Sequence, residues 1–214
     1  VDYYQKKNTN TILQITPIKS SPYEDVFYDH GAEVMNKGWE ASLRWKDFSK
    51  SRDFSYEIGV TFNSNDNEVT DVKPAYGGMT GGSLGNGRIT KRLEVGQSLG
   101  SWWMYEVDGV WQNQAEIDSN THLSGAKPGF LKYKDQNGDG VIDDRDKVFF
   151  GSYIPTYNYS LHLGFTYKNV DFSVDGYGAG GNKIYNGLNS TRLGGENISQ
   201  YMFNNRWTGE GSTN

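Results

Sequence analysis

The sequence predicts an all-β chain of antiparallel strands, and it favours the wall of a transmembrane β-barrel with long extracellular loops over a two-sheet sandwich. Three observations carry this: apolar and polar residues alternate with period 2, the alternating runs are long, and short connections alternate with long ones. In GWEASLRWKDF, Trp39, Ala41, Leu43 and Trp45 share a face opposite Glu40, Ser42 and Arg44. In DFSYEIGVTFN, Phe54, Tyr56, Ile58, Val60 and Phe62 oppose Ser55, Glu57, Gly59 and Thr61. In TYNYSLHLGFTYK, Tyr157, Tyr159, Leu161, Leu163, Phe165 and Tyr167 oppose Asn158, Ser160, His162, Gly164, Thr166 and Lys168. The next run sets Val170, Phe172 and Val174 against Asp171, Ser173 and Asp175. These runs are roughly 9–12 residues, near the length a tilted strand needs to cross a bilayer, whereas globular strands more often have about five or six.

The connections at 46–52 and 168–169 are short and polar, and Gly96–Gly100 reads as a third short turn on the same, periplasmic side. The long segments 63–88, 112–155 and 178 onward then fall on the opposite, extracellular side, with a strand expected at about 88–95. A sandwich also alternates, with one apolar face per strand, and stays open as the alternative. A helical pattern is expected around Asn186–Asn205.

Composition narrows the classes. Of 214 residues only 35% are hydrophobic, yet 14% are aromatic and 27 are Gly, with a mean hydropathy of −0.73. So many aromatics argue against disorder, and no apolar run approaches the ~20 residues of a spanning helix. Zero Cys removes disulfides and thiolate chemistry. A formal net charge of −5 argues against a nucleic-acid partner, which needs a basic footprint. Val1 opens directly into strand-like text and the chain ends in WTGEGSTN, so it reads as a piece of a longer protein.

The strongest local motif is Asp135-x-Asn137-x-Asp139-Gly140-Val141-Ile142-Asp143-x-x-Asp146. Oxygen-bearing residues at alternating positions of a tight turn converge on one point, as a hard cation wanting six to eight oxygens requires. The expected calcium ligands are Asp135, Asn137, Asp139, the Val141 carbonyl, Asp143 and Asp146. Gly140 permits the turn and Ile142 anchors it. Position 12 is Asp146 instead of Glu and the flanks lack paired helices, so the expectation is an isolated structural calcium loop, set against an ion-free acidic turn.

Other motifs carry less. His30, His122 and His162 lack zinc-ligand spacing. Gly176, Gly178 and Gly181 spell G-x-G-x-x-G but follow a strand without opening a helix, which excludes a dinucleotide site. No G-x-S-x-G elbow or distinct carboxylate pair supports catalysis, so no enzyme is expected. Trp102, Trp103, Tyr105 and Trp111 fit either an interfacial girdle or sugar stacking, and the girdle is favoured for Trp102 and Trp103.

Four blocks resemble the SusC/RagA family of TonB-dependent outer-membrane transporters. GAEVMNKGWEASLRW (31–45) resembles its N-x-G-x-V-x-N-K-G-x-E-x-x-L signature, with His30 near the usual Asn. EVGQSLGSWWMYEVDGVWQNQAEI (94–117) resembles its V-G-x-P-x-G block, with Ser98 for Pro and Met104 for Gly. PGFLKYKDQNGDGVIDDRDKVFFGS (128–152) resembles its P-G-D-(I/L)-K block, with Phe130 for Asp, and RWT at 206–208 matches a short motif near its C-terminal strands.

The resemblance implies that residues 1–214 are part of the C-terminal half of a plugged, about 22-stranded barrel, contributing six or seven strands. It implies import of glycans or peptides with a SusD-like surface lipoprotein, driven by TonB through regions outside this chain. Leu43, Trp45, Ile58, Leu161 and Phe172 would then face outer-membrane lipid, and Arg44, Glu57, His162 and Asp175 the lumen. Residues 112–155 would be an extracellular loop carrying the calcium-type turn. The alternative function is a secreted, calcium-stabilised β-sandwich that binds carbohydrate through its aromatics.

Overall fold

The computed structural model describes residues 1–15, 27–47, 53–74, 78–83, 89–187 and 197–213. The elements run β1 (Asp2–Ile15), β2 (Phe27–Lys46), β3 (Phe54–Ser64), β4 (Asp66–Val72), β5 (Thr80–Ser83), β6 (Ile89–Arg92), β7 (Ser101–Tyr105) and β8 (Val107–Val110). After them come α1 (Gln114–Asp118), β9 (Leu131–Tyr133), a 3-10 turn at Asp144–Asp146, β10 (Lys147–Ser152), β11 (Tyr157–Tyr167), β12 (Val170–Gly180) and α2 (Gln200–Asn204). Of the expected helix at 186–205, α2 forms one turn and 188–196 lie outside the described residues. The chain divides into two compact units, one holding Val1–Gly81, Lys91–Trp102 and Gly151–Ile184 and the other the rest.

The first unit is built on an antiparallel sheet ordered β1-β2-β3-β11-β12, with β4 also paired to β2. The alternation read from the sequence sets its register. Leu43 lies opposite Val60 and Trp45 opposite Ile58. Val60 then meets Leu161 and Ile58 meets Leu163, and Phe165 meets Phe172. One face is therefore apolar across four strands, as period-2 geometry requires. Aliphatic residues hold the middle of that face. Tyr157, Tyr159 and Phe62 stand towards one end, and Phe54, Tyr56, Phe165 and Tyr167 towards the other.

The eleven residues of β11 extend roughly 33 Å at about 3.3 Å per residue, or about 25 Å along a membrane normal at a tilt of ~40°. At Lys168, φ of +53° makes the two-residue turn between Tyr167 and Val170, where primed hairpin turns need a positive φ. Glycines on the apolar face of β12 are covered by rings: a Cβ at Gly178 would strike Tyr159, and one at Gly180 would strike Tyr157. Of the G-x-G-x-x-G text, Gly176 and Gly178 are thus strand backbone, and Gly181, at φ +78°, follows the strand beside Thr156.

The loop scheme needs correction. β3 pairs directly with β11 from Phe54–Tyr167 to Ser64–Tyr157. The chain consequently leaves β3 after Ser64 and re-enters at Tyr157, an excursion that begins and ends at one end of this sheet, and Gly96–Gly100, whose Gly96 amide bonds the Val69 carbonyl of β4, is not a turn at the opposite end. β6 has four residues where a spanning strand was expected at 88–95, and it pairs with β7 at Lys91 and Trp102 in a sheet separate from the large one. Apolar alternation over so few residues carries no information about partners. Among the described residues this sheet has six strands, of which β4, with seven residues, is too short to be one of the long alternating runs.

The second unit packs around Trp111 and Ile117, each 1% exposed, with Trp103 and Ile142 also buried. β8 and β9 pair antiparallel. α1 is capped by Asn113, whose side chain accepts from the Glu116 amide. The C-terminal segment closes on this core: Gln112 donates to the Thr213 carbonyl and accepts from the Gly211 amide at 2.8 and 2.9 Å, and the Trp207 ring lies against Gly129.

Candidate transport surface and calcium-type loop

The two faces of the large sheet differ in a way soluble proteins do not show. On β11 the polar side chains Ser160, His162 and Thr166 are partly buried, while the apolar ones between them are exposed. Leu43 is 71% exposed, Trp45 61%, Phe172 51%, Leu161 42% and Ile58 40%. A continuous exposed apolar surface of this extent marks contact with a membrane or another apolar body. Among the described residues no second sheet covers it, as the apolar exposures show.

The polar face is knitted across strands. Arg44 and Lys46 both pair with Glu57, Thr61 bonds Ser160 at 2.6 Å, and Asn63 donates to Glu40 at 2.9 Å. His162 Nδ1 meets Asp175 at 2.6 Å, and Thr166 donates to Asp171 at 2.6 Å. Cross-strand pairs of this kind satisfy the polar groups of this face without an apolar core.

Further along the same face the chemistry changes. By alternation from Glu40, the side chains of Asn36, Val34 and Ala32 lie on the polar side, and Val34 faces Val69 of β4. Ala32, Val34, Val69 and Leu93 form a buried cluster with Leu13, Val72, Met79 and Leu99 packed against it. Asn67 accepts from the Leu99 amide at 2.8 Å and from Ser98 Oγ at 3.1 Å. The residues 93–99, read as strand and turn, are instead a cover over this end of the face. Sequence reasoning missed Asn67, Val69 and Leu99. The only signal for Val69 and Leu99 was apolar residues inside polar loop text, and Asn67 had none.

The aromatic pair also departs from expectation, because β7 is not part of the large sheet. Trp102 donates from its indole to the Lys183 carbonyl at 2.7 Å and carries the Lys91 ammonium 4.6 Å from its ring centre. Trp103 is buried in the second unit beneath Lys147. Neither is a girdle residue. Their spacing beside a turn suggested one, but Trp103 is buried and Trp102 belongs to a strand outside the large sheet.

All six expected calcium ligands are described, in 135–146. Asp135 accepts the Gly138 and Gly140 amides at 2.7 and 2.9 Å. Asn137 accepts the Asp139 amide and Asp139 the Val141 amide, at 2.8 and 3.0 Å. Asp143 caps the 3-10 turn, and Asp146, fully buried, accepts the Gln136 and Asp143 amides at 3.0 and 2.8 Å. Asp143 and Asp146 form a reciprocal capping box, a pattern the D-x-x-D spacing already contained. The Arg145 guanidinium bridges Asp139 and Asp143 at 2.7 and 2.8 Å. Among the described residues no three acidic or histidine side chains gather closely enough to hold a metal ion. Two carboxylates already share one cationic group, and the other two hold the backbone.

Electrostatics in this unit favour ionised carboxylates. Hydrogen bonds from the Arg145 side chain, then its amide, hold Asp143 below the usual carboxylate range. The Gln112 amide, then Lys132, does the same for Glu116. Burial, with Asp144 adding, pushes the Tyr105 phenol up to about 12, so it remains a donor to Asp144. A lowered folded-state pKa means that the unfolded chain binds protons first. The stabilisation is complete above the unfolded values of about 3.9–4.3 and is lost as pH falls through the folded ones. The melting temperature of the parent protein should drop less between pH 7 and pH 3 in Asp143→Asn/Glu116→Gln than in wild type; an identical drop refutes this linkage.

Comparison with known proteins places these features. No protein-family model matches the chain. The TonB-dependent receptor P26 of Formosa agariphila is 32% identical over 192 residues, covering 87% of this chain and 19% of that protein. The TonB-dependent receptor SusC of Bacteroides thetaiotaomicron is 24% identical over 191 residues, covering 86% and 18%. Among solved structures, the RagAB peptide importer in its open-open state aligns with a TM-score of 0.62 at 17% identity, over 96% of this chain and 21% of that one. Another structure of the RagAB peptide transporter gives 0.55 at 16% identity, over 81% and 17%. The chain spans about a fifth of the length of the curated relatives it matches.

Proposed function

We propose, from a chain that is a partial SusC/RagA-like segment of a TonB-dependent receptor, that its parent protein is an outer-membrane importer of glycans or peptides. The observation that carries this is the inverted sheet. Its apolar face is exposed and about 25 Å deep, as a bilayer-facing wall requires, and its polar face is satisfied by its own cross-strand pairs. In this reading Leu43, Trp45, Ile58, Leu161 and Phe172 meet lipid, and the excursion 66–156 stands on the extracellular side. The parent barrel has about 22 strands, works with a SusD-like surface lipoprotein and is driven by TonB through its remaining four-fifths. Deleting the parent gene should abolish growth on one class of glycan or peptide, and the tagged receptor should retain a lipoprotein in detergent. Unchanged growth on every glycan and peptide the wild type uses would refute import.

The same reading includes a structural calcium ion in the loop 135–146, held by Asp135, Asn137, Asp139, the Val141 carbonyl, Asp143 and Asp146. Its support is the ligand spacing and the convergence of Asp139 and Asp143 on Arg145. Calcium has to displace that guanidinium, so Arg145→Ala should increase the rise in melting temperature that calcium gives. No difference between calcium and chelator in either protein would exclude the ion.

A further inference from the structure

The inner wall changes character along β2. Near Arg44 and Glu57 it is bare polar strand, but around Ala32 and Val34 it is covered by the excursion returning over it. The cover is fixed at several places. Leu93 and Leu99 pack on Ala32, Val34 and Val69. Leu93 also bonds through its backbone to Met79 and Gly78, at 2.8 and 3.2 Å. The Val69 amide donates to the Gln97 carbonyl and the Gly96 amide donates to the Val69 carbonyl, both at 2.9 Å, tying the turn to the free edge of β4. Ser152 Oγ holds the Leu99 carbonyl at 2.8 Å, and Gly100, at φ +72°, lies under the Tyr153 ring.

Between these anchors the tip Glu94-Val95-Gly96 is exposed, with Val95 53% accessible. A Cβ added at Gly96 would meet nothing within 4 Å. Glu94 is braced by Arg92 at 3.0 Å. A turn tied at both ends, with an apolar side chain held out into open space, is a preorganised contact.

We propose that the tip Glu94–Gly96 is a specificity-determining contact at the mouth of the cargo path: cargo meets this turn instead of the strand wall, and the turn limits the size that enters. This rests on the importer reading above. Because Leu93 and Leu99 bury Ala32 and Val34 of β2 and Val69 of β4, these strand side chains are closed to cargo here, and the turn takes their place as the contact.

The test uses the full-length parent receptor in cells, with any cysteine elsewhere replaced and Val95→Cys introduced. Intact cells are treated with a small maleimide or a polyethylene-glycol maleimide, labelling is read by mass, and uptake is followed over a length series of the cargo. The expected result is full labelling from outside. The small label should lower uptake of the longest oligomers only slightly, and the large one should abolish uptake of the longest oligomers before the shortest. Quantitative attachment of the large label with an unchanged length profile overturns the proposal. So does failure to label Val95→Cys when a cysteine at exposed Glu210 labels. If the unmodified receptor imports nothing in the series, the importer reading fails, independently of the tip.

Discussion

Leu161→Arg should destabilise the membrane-embedded parent receptor by about 2–4 kcal/mol, whereas His162→Arg one residue away should cost less than about 1 kcal/mol. Leu161 lies near the centre of β11, between Val60 on one side and Gly176 on the other, on the exposed apolar face. At the bilayer midplane a guanidinium there loses its hydration or must distort lipid to keep it. His162 is on the opposite face between Gly59 and Asp175, where an arginine can stay in water and pair with Asp175. A water-soluble fold makes the opposite prediction, because a residue already 42% exposed accepts a charge at almost no cost. Urea unfolding of the receptor in lipid vesicles separates the two. Equal losses at both positions would sink the barrel assignment, and so would a neutral Leu161→Arg.

That contrast depends on the part of the molecule the sequence made most readable. Strand periodicity is local, so the faces of β2, β3, β11 and β12 follow from residues two apart, and the hairpin at Lys168 follows from strands that abut. The β3–β11 pairing joins residues about a hundred positions apart. Nothing in the intervening text announces it, because any alternating strand can pair with any other of similar length. The residues 88–95 looked like a further strand because Leu93 and Val95 are apolar, and Trp102 and Trp103 looked like girdle residues beside a turn. Their actual partners are the cluster at Val34 and Val69 for Leu93, and the second unit's core for Trp103, which periodicity cannot distinguish from lipid. The family resemblance located the block at 94–117 without fixing which way it turns.

The acidic loop shows the same limit at the scale of one side chain, and it sets up the second large effect. Asp146 was legible as an oxygen at position 12, but its oxygens point into the loop and hold the Gln136 and Asp143 amides. Asp146→Ala orphans both donors beneath a residue with no exposed surface, at roughly 1–3 kcal/mol for each lost partner, or about 2–4 kcal/mol for local opening once water relieves part of it. Amide exchange across 136–147 should then accelerate by about thirty-fold or more, since each 1.4 kcal/mol is about a factor of ten. Asp146→Asn should fall between, because one oxygen still accepts while its NH2 group meets the other donor. Asp143→Ala removes a cap and an exposed pairing with Arg145 that solvent screens, so a smaller effect than that of Asp146→Ala is expected. These effects need no ion and should persist in chelator. Adding calcium extends the argument: if Asp146 is also a ligand, Asp146→Ala erases the calcium-dependent protection that Arg145→Ala enhances. Fast exchange in Asp146→Ala together with undiminished calcium protection would leave Asp146 as the cap of the loop and strike it from the ligand set.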